Sequence, residues 1–320
     1  MNRFLVTGGA GFIGSHLCER LISEGNYVIC VDSLLTGLQS NIEHLEQNDN
    51  FTFINADVTE EFELSEDIDY LFHLASPASP NHSSPVSYHA LPMETMMVNT
   101  TGTKKMLELA RSKGARFVFS STSEIYGDPL EHPQKEDYRG NVSTIGPRSV
   151  YDEAKRFGET LTAYFARENG VDARIARIFN TFGPRMRKED KRMVVEFINE
   201  ALAGDPIRVF GDGSQTRSII YIDDMVDGLL RLMTTDGLKG EVINLGATEE
   251  YTVLEYAEMI KKLTNSQSEI TFPEKLPEDD PLKRRPDITK AKSLLNWEPQ
   301  VSMEEGLKKT IRYCHEKIGE

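Results

Sequence analysis

The segment VTGGAGFIGSHL, Val6–Leu17, joins the apolar run Arg3–Thr7 to a stretch with helical spacing, Ile13–Glu24. Gly8, Gly11 and Gly14 recur at every third position of it. At a strand-to-helix turn the first glycine permits the tight turn and the second lets backbone approach a pyrophosphate. The third allows close packing of helix on strand. The helix then opens at Phe12 and Ile13, presenting free N–H groups and a positive dipole end to phosphate. Asp32, with Ser33 after it, closes the next apolar run 18 residues beyond Gly14. A carboxylate there accepts hydrogen bonds from an adenosine ribose and repels a 2′-phosphate, so the spacing predicts NAD rather than NADP. Asp57 and Val58, ending a third run, offer either an adenine contact or an ordinary turn.

Outward from this segment, β-rich runs alternate with helical stretches. The strand candidates are Arg3–Thr7, Tyr27–Asp32, Phe51–Ala56, Tyr70–Ala75, Arg116–Ser121 and Ala173–Phe179, and helices are expected near Ile13–Glu24, Glu94–Lys113 and Tyr151–Asn169. Such alternation predicts an α/β fold, a Rossmann-type doubly wound parallel sheet with ligands beyond the carboxyl ends of its strands. After residue 180 the pattern loosens, with Gly183-Pro184, Gly204-Asp-Pro206 and Gly211-Asp-Gly213 between helices near Val194–Ala203, Asp223–Thr234, Val253–Leu263 and Met303–Lys317. The expected division is an NAD-binding domain over 1–180 and a smaller C-terminal substrate-binding lobe over 181–320, with some exchange of strands and helices between them.

The chain has 320 residues and a net charge of −15, from 36 basic and 51 acidic side chains. That balance disfavours nonspecific binding to nucleic acid or an anionic membrane, while leaving room for a local nucleotide pocket. Cys18, Cys30 and Cys314 show no CxxC spacing, which predicts a reduced, cytoplasmic protein and no metal site. No apolar leader and no run of about 20 apolar residues is evident.

Two further stretches carry chemistry. In YDEAKRFGE, Tyr151 and Lys155 stand four apart on one helix face. An ammonium and a nicotinamide charge nearby would lower the phenol's ordinary pKa of about 10 toward that of a working base. In STSEIYGDP, Ser121–Pro129, an apolar strand ends abruptly in Thr122, Ser123 and Glu124, a polar wall at the edge where a parallel sheet binds its ligand.

With TGGAGFIG, HLAS (His73–Ser76), Asn99, Thr122, Tyr151-x-x-x-Lys155 and LLNWEPQVSMEEGL, the chain resembles the extended short-chain dehydrogenase/reductases over nearly its whole length. HLASPASP, STSEIYGDPLEHPQ, IGPRSVYDEAKR, RIARIFNTFGPRM and GDGSQTRS make it most similar to the UDP-glucuronic acid decarboxylase, or UDP-xylose synthase, group. The resemblance implies a UDP-sugar substrate, tightly bound and recycled NAD, and a homodimer. It implies that Tyr151 removes the sugar 4-hydroxyl proton, that Lys155 holds the nicotinamide ribose and tunes Tyr151, and that Thr122 donates to the C4 oxygen. Ser123 and Glu124 would lie near C5 and C6, or else cap the local turn. Leu74, Ala75, Ser76, Asn99, Thr181 and Arg192 would meet the cofactor. Asn180, Arg185, Gln215, Arg217 and Arg285 would meet the substrate, Arg285 being drawn from the basic cluster Lys283-Arg-Arg285.

The stretch Pro80–Val98 is longer than in that group, and Met97 stands where the group usually has lysine. Its His82 and His89 offer either a ligand contact or, as loop histidines usually do, none. The same site chemistry leaves open a UDP-N-acetylhexosaminuronate as substrate, a nucleotide-sugar 4-epimerase, or an NAD-binding scaffold. A 4,6-dehydratase ranks low, because Ser123 occupies the position of the acid that dehydration requires.

Overall fold

The computed structural model describes residues 1–273, 275 and 283–318. Part of the Pro- and charge-rich stretch Phe272–Asp287, residues 274 and 276–282, lies outside the described residues. The sheet contains β1 Arg3–Thr7, β2 Tyr27–Asp32, β3 Phe51–Asn55, β4 Tyr70–His73, β5 Arg116–Thr122 and β6 Ala173–Ile178, within a residue or two of the apolar runs. A seventh strand, Val242–Leu245, completes it. The order is Val242–Leu245, β6, β5, β4, β1, β2, β3, all parallel. The helices are α1 Phe12–Ser23, α2 Pro92–Met97, α3 Thr103–Lys113, α4 Ser149–Glu168, α5 Met193–Ala203, α6 Ile222–Thr234, α7 Val253–Leu263, α8 Thr289–Leu295 and α9 Met303–Ile318.

Strands of a parallel sheet are covered on both faces, and their alternate side chains divide between two cores. Phe4 and Val6 of β1, with Val28 and Cys30 of β2, pack with Leu17 and Leu21 of α1 and Met225 and Leu229 of α6. Their sequence neighbours Leu5, Ile29 and Val31 join the opposite core, with Leu107 and Ala110 of α3 and Phe165 of α4. The strand order reverses between β1 and β4, which opens a crevice outside their carboxyl ends. One π turn, Val98–Gly102, joins α2 to α3, so a single interrupted helix replaces the continuous one expected near Glu94–Lys113.

Beyond β6, α5, α7 and α9 pack on one another. Three short strand pairs accompany them: Thr181–Phe182 with Ile220–Tyr221, Ile207–Arg208 with Ile270–Thr271, and Thr216–Arg217 with Tyr251–Thr252. α6 lies against α1, and Val242–Leu245 extends the sheet beyond β6. The LLNWEPQ segment fastens α6 from outside. Trp297 is buried, its ring lies where a side chain at Gly228 would stand, and its Nε1 donates to the Asp224 carbonyl at 3.2 Å. Trp297→Ala should therefore lower the unfolding free energy by about 3–5 kcal/mol in urea denaturation. A loss below about 1 kcal/mol would show that the tail does not support the fold.

Candidate active site

The glycine loop has the geometry that its spacing requires. Gly8 has φ +71°, and a Cβ on it would lie 2.7 Å from the Ala75 nitrogen. A Cβ on Gly14 would approach the Gly8 carbonyl oxygen to 2.1 Å, so only glycine lets α1 sit this close to β1. No side chain caps the start of α1 and no acid occupies its first turn, which leaves that end suited to an anion. Asp32 accepts from the Ala10 nitrogen at 3.0 Å and the Leu34 nitrogen at 2.8 Å. Burial raises its pKa, against those two bonds. These residues fit the diphosphate and ribose of a dinucleotide.

The loop borders a cavity of about 430 Å³. Its walls include Gly8, Gly11, Phe12, Ile13 and Gly14 from the turn, Asp32, Ser33, Asp57 and Val58 from the next two strand ends, and Leu74, Ala75 and Ser76 after β4. Asp57 spends one carboxylate oxygen on Thr59, accepting from its nitrogen and its hydroxyl, each at 2.8 Å. Thr122, Glu124, Tyr151, Lys155, Asn180, Thr181, Arg185 and Arg192 border the same space, as does the half-exposed Met97. Asn99 stands behind the wall in the π turn, where its Nδ2 donates to the Ser76 hydroxyl and the Thr95 carbonyl, both at 2.8 Å.

Tyr151 and Lys155 are both buried at the inner end. Burial, and then the Glu124 charge, push the phenol's pKa up, while Arg192 and a hydrogen bond with Thr122 pull it down. Lys155 donates to the Ser120 carbonyl at 2.7 Å and stands 5.7 Å from the Tyr151 ring centre. Burial pulls its pKa down to about 7, opposed by Glu159. Thr122 ends β5, and its hydroxyl accepts from the Glu124 nitrogen at 3.2 Å, which turns the chain into the short helix Ser123–Tyr126. Ser123 is buried away from the cavity.

Glu124 is the centre of a charged cluster that the motifs did not disclose. Arg148, one residue before α4, donates to its Oε2 at 2.8 Å, and the Tyr88 hydroxyl donates to the same oxygen at 3.2 Å. The Arg284 guanidinium lies 3.9 Å from Oε1. Burial pushes the Glu124 pKa up, but Arg148 and Arg284 outweigh it and hold the group at about 2. Asp152 hydrogen-bonds to Glu124, and burial together with that neighbouring charge pushes its pKa up to about 8. The two carboxyls thus share one proton near neutrality. Arg284, rather than Arg285, faces this cluster; Arg285 is a third exposed and 3.8 Å from Glu250.

Three of the expected substrate residues do not border the cavity. Gln215 donates to the Phe210 carbonyl at 3.0 Å, Arg217 donates to the Thr216 carbonyl at 2.8 Å, and Arg285 turns to Glu250. Arg185, which does border it, has φ +65° and is hydrogen-bonded to Glu19.

Residues 4–246 match the model of the NAD dependent epimerase/dehydratase family. UDP-glucuronic acid decarboxylase 1 of Danio rerio is 50% identical over 318 residues, which are 99% of this chain and 73% of that protein. UDP-glucuronic acid decarboxylase 5 of Arabidopsis thaliana is 49% identical over 95% of this chain and 87% of its own. The chain belongs to the UDP-glucuronic acid decarboxylase group of the NAD dependent epimerase/dehydratase family. Solved structures share the fold over nearly the full chain. A UDP-glucuronic acid 4-epimerase of Bacillus cereus, in complex with UDP-4-deoxy-4-fluoro-glucuronic acid and NAD, has a TM-score of 0.88 at 31% identity and covers 98% of this chain and 99% of that one. An epimerase of Methanothermobacter thermautotrophicus has a TM-score of 0.89 at 32% identity, over 99% of this chain and 93% of that one.

The proton that burial and the Glu124 charge keep on Asp152 predicts a pH-dependent stability. A carboxyl whose folded pKa is raised stabilises the fold fully below its unfolded value of about 4, and that contribution is lost as pH rises through about 8. Asp152→Asn keeps a donor toward Glu124 and does not titrate. Relative to the parent it should gain on the order of 1–2 kcal/mol between pH 5 and pH 9, read by denaturation at each pH. A difference that is flat across this range would contradict the shared proton.

Proposed function

We propose that the chain decarboxylates a UDP-hexuronic acid, converting UDP-glucuronate to UDP-xylose through a C4 ketone. The observation that carries this reading is the meeting, at one cavity, of Tyr151 and Thr122 with a carboxylate that two arginines keep charged. The Gly8–Gly14 loop and Asp32 would hold NAD, with Leu74, Ala75, Ser76, Thr181 and Arg192 along it. When bound, NAD would supply the hydride acceptor for C4, tightly held and recycled.

Tyr151 takes the 4-hydroxyl proton, and Thr122 donates a hydrogen bond to the oxygen as it becomes a ketone. Arg192 and the hydrogen bond with Thr122 favour the phenolate, and Lys155 would hold the nicotinamide ribose beside it. The ketone is β to the C6 carboxylate, so the C5–C6 bond can break with its electron pair moving into an enolate on the C4 oxygen. Thr122 and the protonated Tyr151 hold that oxygen. Glu124 repels a second carboxylate nearby, and the repulsion disappears when neutral CO2 leaves. C5 then takes a proton, with the Glu124–Asp152 pair as a nearby store. Asn180 and Arg185 serve the phosphates, with Gln215, Arg217 and Arg285 reserved for the nucleotide end.

A homodimer through α3 and α4 belongs to the same proposal, supported by exposed Phe157 and Tyr164, seven residues apart on one face of α4. The division into an NAD-binding part, 1–180, and a UDP-sugar-binding part, 181–320, is proposed with it. The free cysteines Cys18, Cys30 and Cys314 support a reducing, cytoplasmic setting.

Incubation with UDP-glucuronate, UDP-N-acetylated uronates and NAD, read by mass spectrometry, should show loss of CO2 from UDP-glucuronate. An unchanged mass with inverted C4 would overturn this in favour of a 4-epimerase. Tyr151→Phe should lower kcat by about 10²–10⁴-fold while NAD affinity stays within about threefold. Near-parental turnover in that variant would remove Tyr151 as the base.

A further inference from the structure

Four aromatic rings run in a column from the surface to Tyr151. Exposed His82 stacks on His89, with ring centres 3.6 Å apart and planes at 20°. His89 lies 4.5 Å from the Tyr88 ring, tilted by 51°. Tyr88, fully buried, stacks on Tyr151 at 4.9 Å with planes 9° apart. The first three rings all come from the Pro80–Val98 stretch, in which the family resemblance gave the histidines no part. We propose that His89, backed by His82, is a positioning residue for Tyr151 and acts through Tyr88. This rests on the reading of Tyr151 as the base.

A base works only within hydrogen-bond reach of its proton, and a displacement on the order of 1 Å can cost about 10²-fold in rate. Tyr88 lies flat on the Tyr151 ring and fixes its plane from one side, so whatever holds Tyr88 holds the base. The Tyr88 hydroxyl is fixed by Glu124 at 3.2 Å, and its ring is packed by His89. The imidazole has a backbone hydrogen bond with Pro80, while its Nε2 is buried without a hydrogen-bond partner and is held by packing. Burial, then His82 and Arg148, bring the His89 pKa down to about 4, so the His89 ring is neutral at working pH. The segment is tied to the loop carrying Arg192, because the Ser79 hydroxyl donates to the Asp190 carbonyl and Asn81 Nδ2 to the Lys191 carbonyl, each at 2.8 Å. The column therefore stands on an anchored segment.

The test compares His89→Ala and His89→Phe with the parent in the NAD-loaded enzyme, using UDP-glucuronate with hydrogen or deuterium at C4. The Ala variant should lower kcat by about tenfold and raise the C4 deuterium isotope effect on kcat, because the misplaced phenol slows C4 oxidation. KM, NAD affinity and the unfolding midpoint should stay close to parental. The Phe variant restores a packing ring and should recover kcat to within about threefold. Parental kcat in the Ala variant would overturn the proposal. A Phe variant as slow as the Ala variant would also overturn it, since imidazole chemistry would then be at work, as would a fall in midpoint with no change in isotope effect. Decarboxylation and 4-epimerisation both begin with oxidation at C4, so a parent that only epimerises fails the function proposed above while this test still reads. A parent that never oxidises C4 overturns both.

Discussion

A carboxylate buried beside the phenol that must ionise is the constraint around which this site is built. Glu124 is 7% exposed, and an isolated charge there would be costly. It is kept charged by partners drawn from three distant parts of the chain: Tyr88 from the long loop after β4, Arg148 and Asp152 at the head of α4, and Arg284 from the C-terminal part. Removing one partner of such a cluster costs about 3–5 kcal/mol, because it leaves the other charges unmatched. The carboxyl edge of the sheet and the C-terminal part are therefore joined at the site itself, and the geometry of Tyr151 depends on both.

The same charge works against the base. Glu124 raises the Tyr151 pKa, and Lys155, which donates to the Ser120 carbonyl, is itself held near 7 by burial. Arg192 and Thr122 are the groups pulling the phenol the other way. Tyr151 is thus poised by opposing charges, which suits a reaction in which one negative group on the substrate leaves as neutral CO2.

Most of the fold was legible because apolar runs flanked by turn residues marked β1–β6, and the glycine spacing marked the turn between β1 and α1. The strand Val242–Leu245 was not, since a four-residue run interrupted by the polar Asn244 does not differ from a loop until β6 offers it a partner. α8, with seven residues, is too short for a period to show. At the site, Thr122, Tyr151 and Lys155 were visible through spacing and context. Tyr88, Arg148, Asp152 and Arg284 were not, because they meet Glu124 only through tertiary packing. The arginine pair shows the limit most plainly: the reading favoured Arg285, yet in an extended segment adjacent side chains point to opposite sides, and Arg284 is the one turned inward. Arg148 lay within the quoted IGPRSVYDEAKR, where its place just ahead of the catalytic-looking helix was the available signal.

The most direct measurement is to follow hydrogen at C4 and C5 together, using UDP-glucuronate deuterated at C4 in ordinary water and unlabelled UDP-glucuronate in heavy water. The expected product lacks C6, keeps the C4 deuterium from the labelled substrate, and acquires one solvent deuterium at C5 in heavy water. A product that retains C6 and takes no solvent hydrogen at C5 would contradict decarboxylation through a C4 ketone.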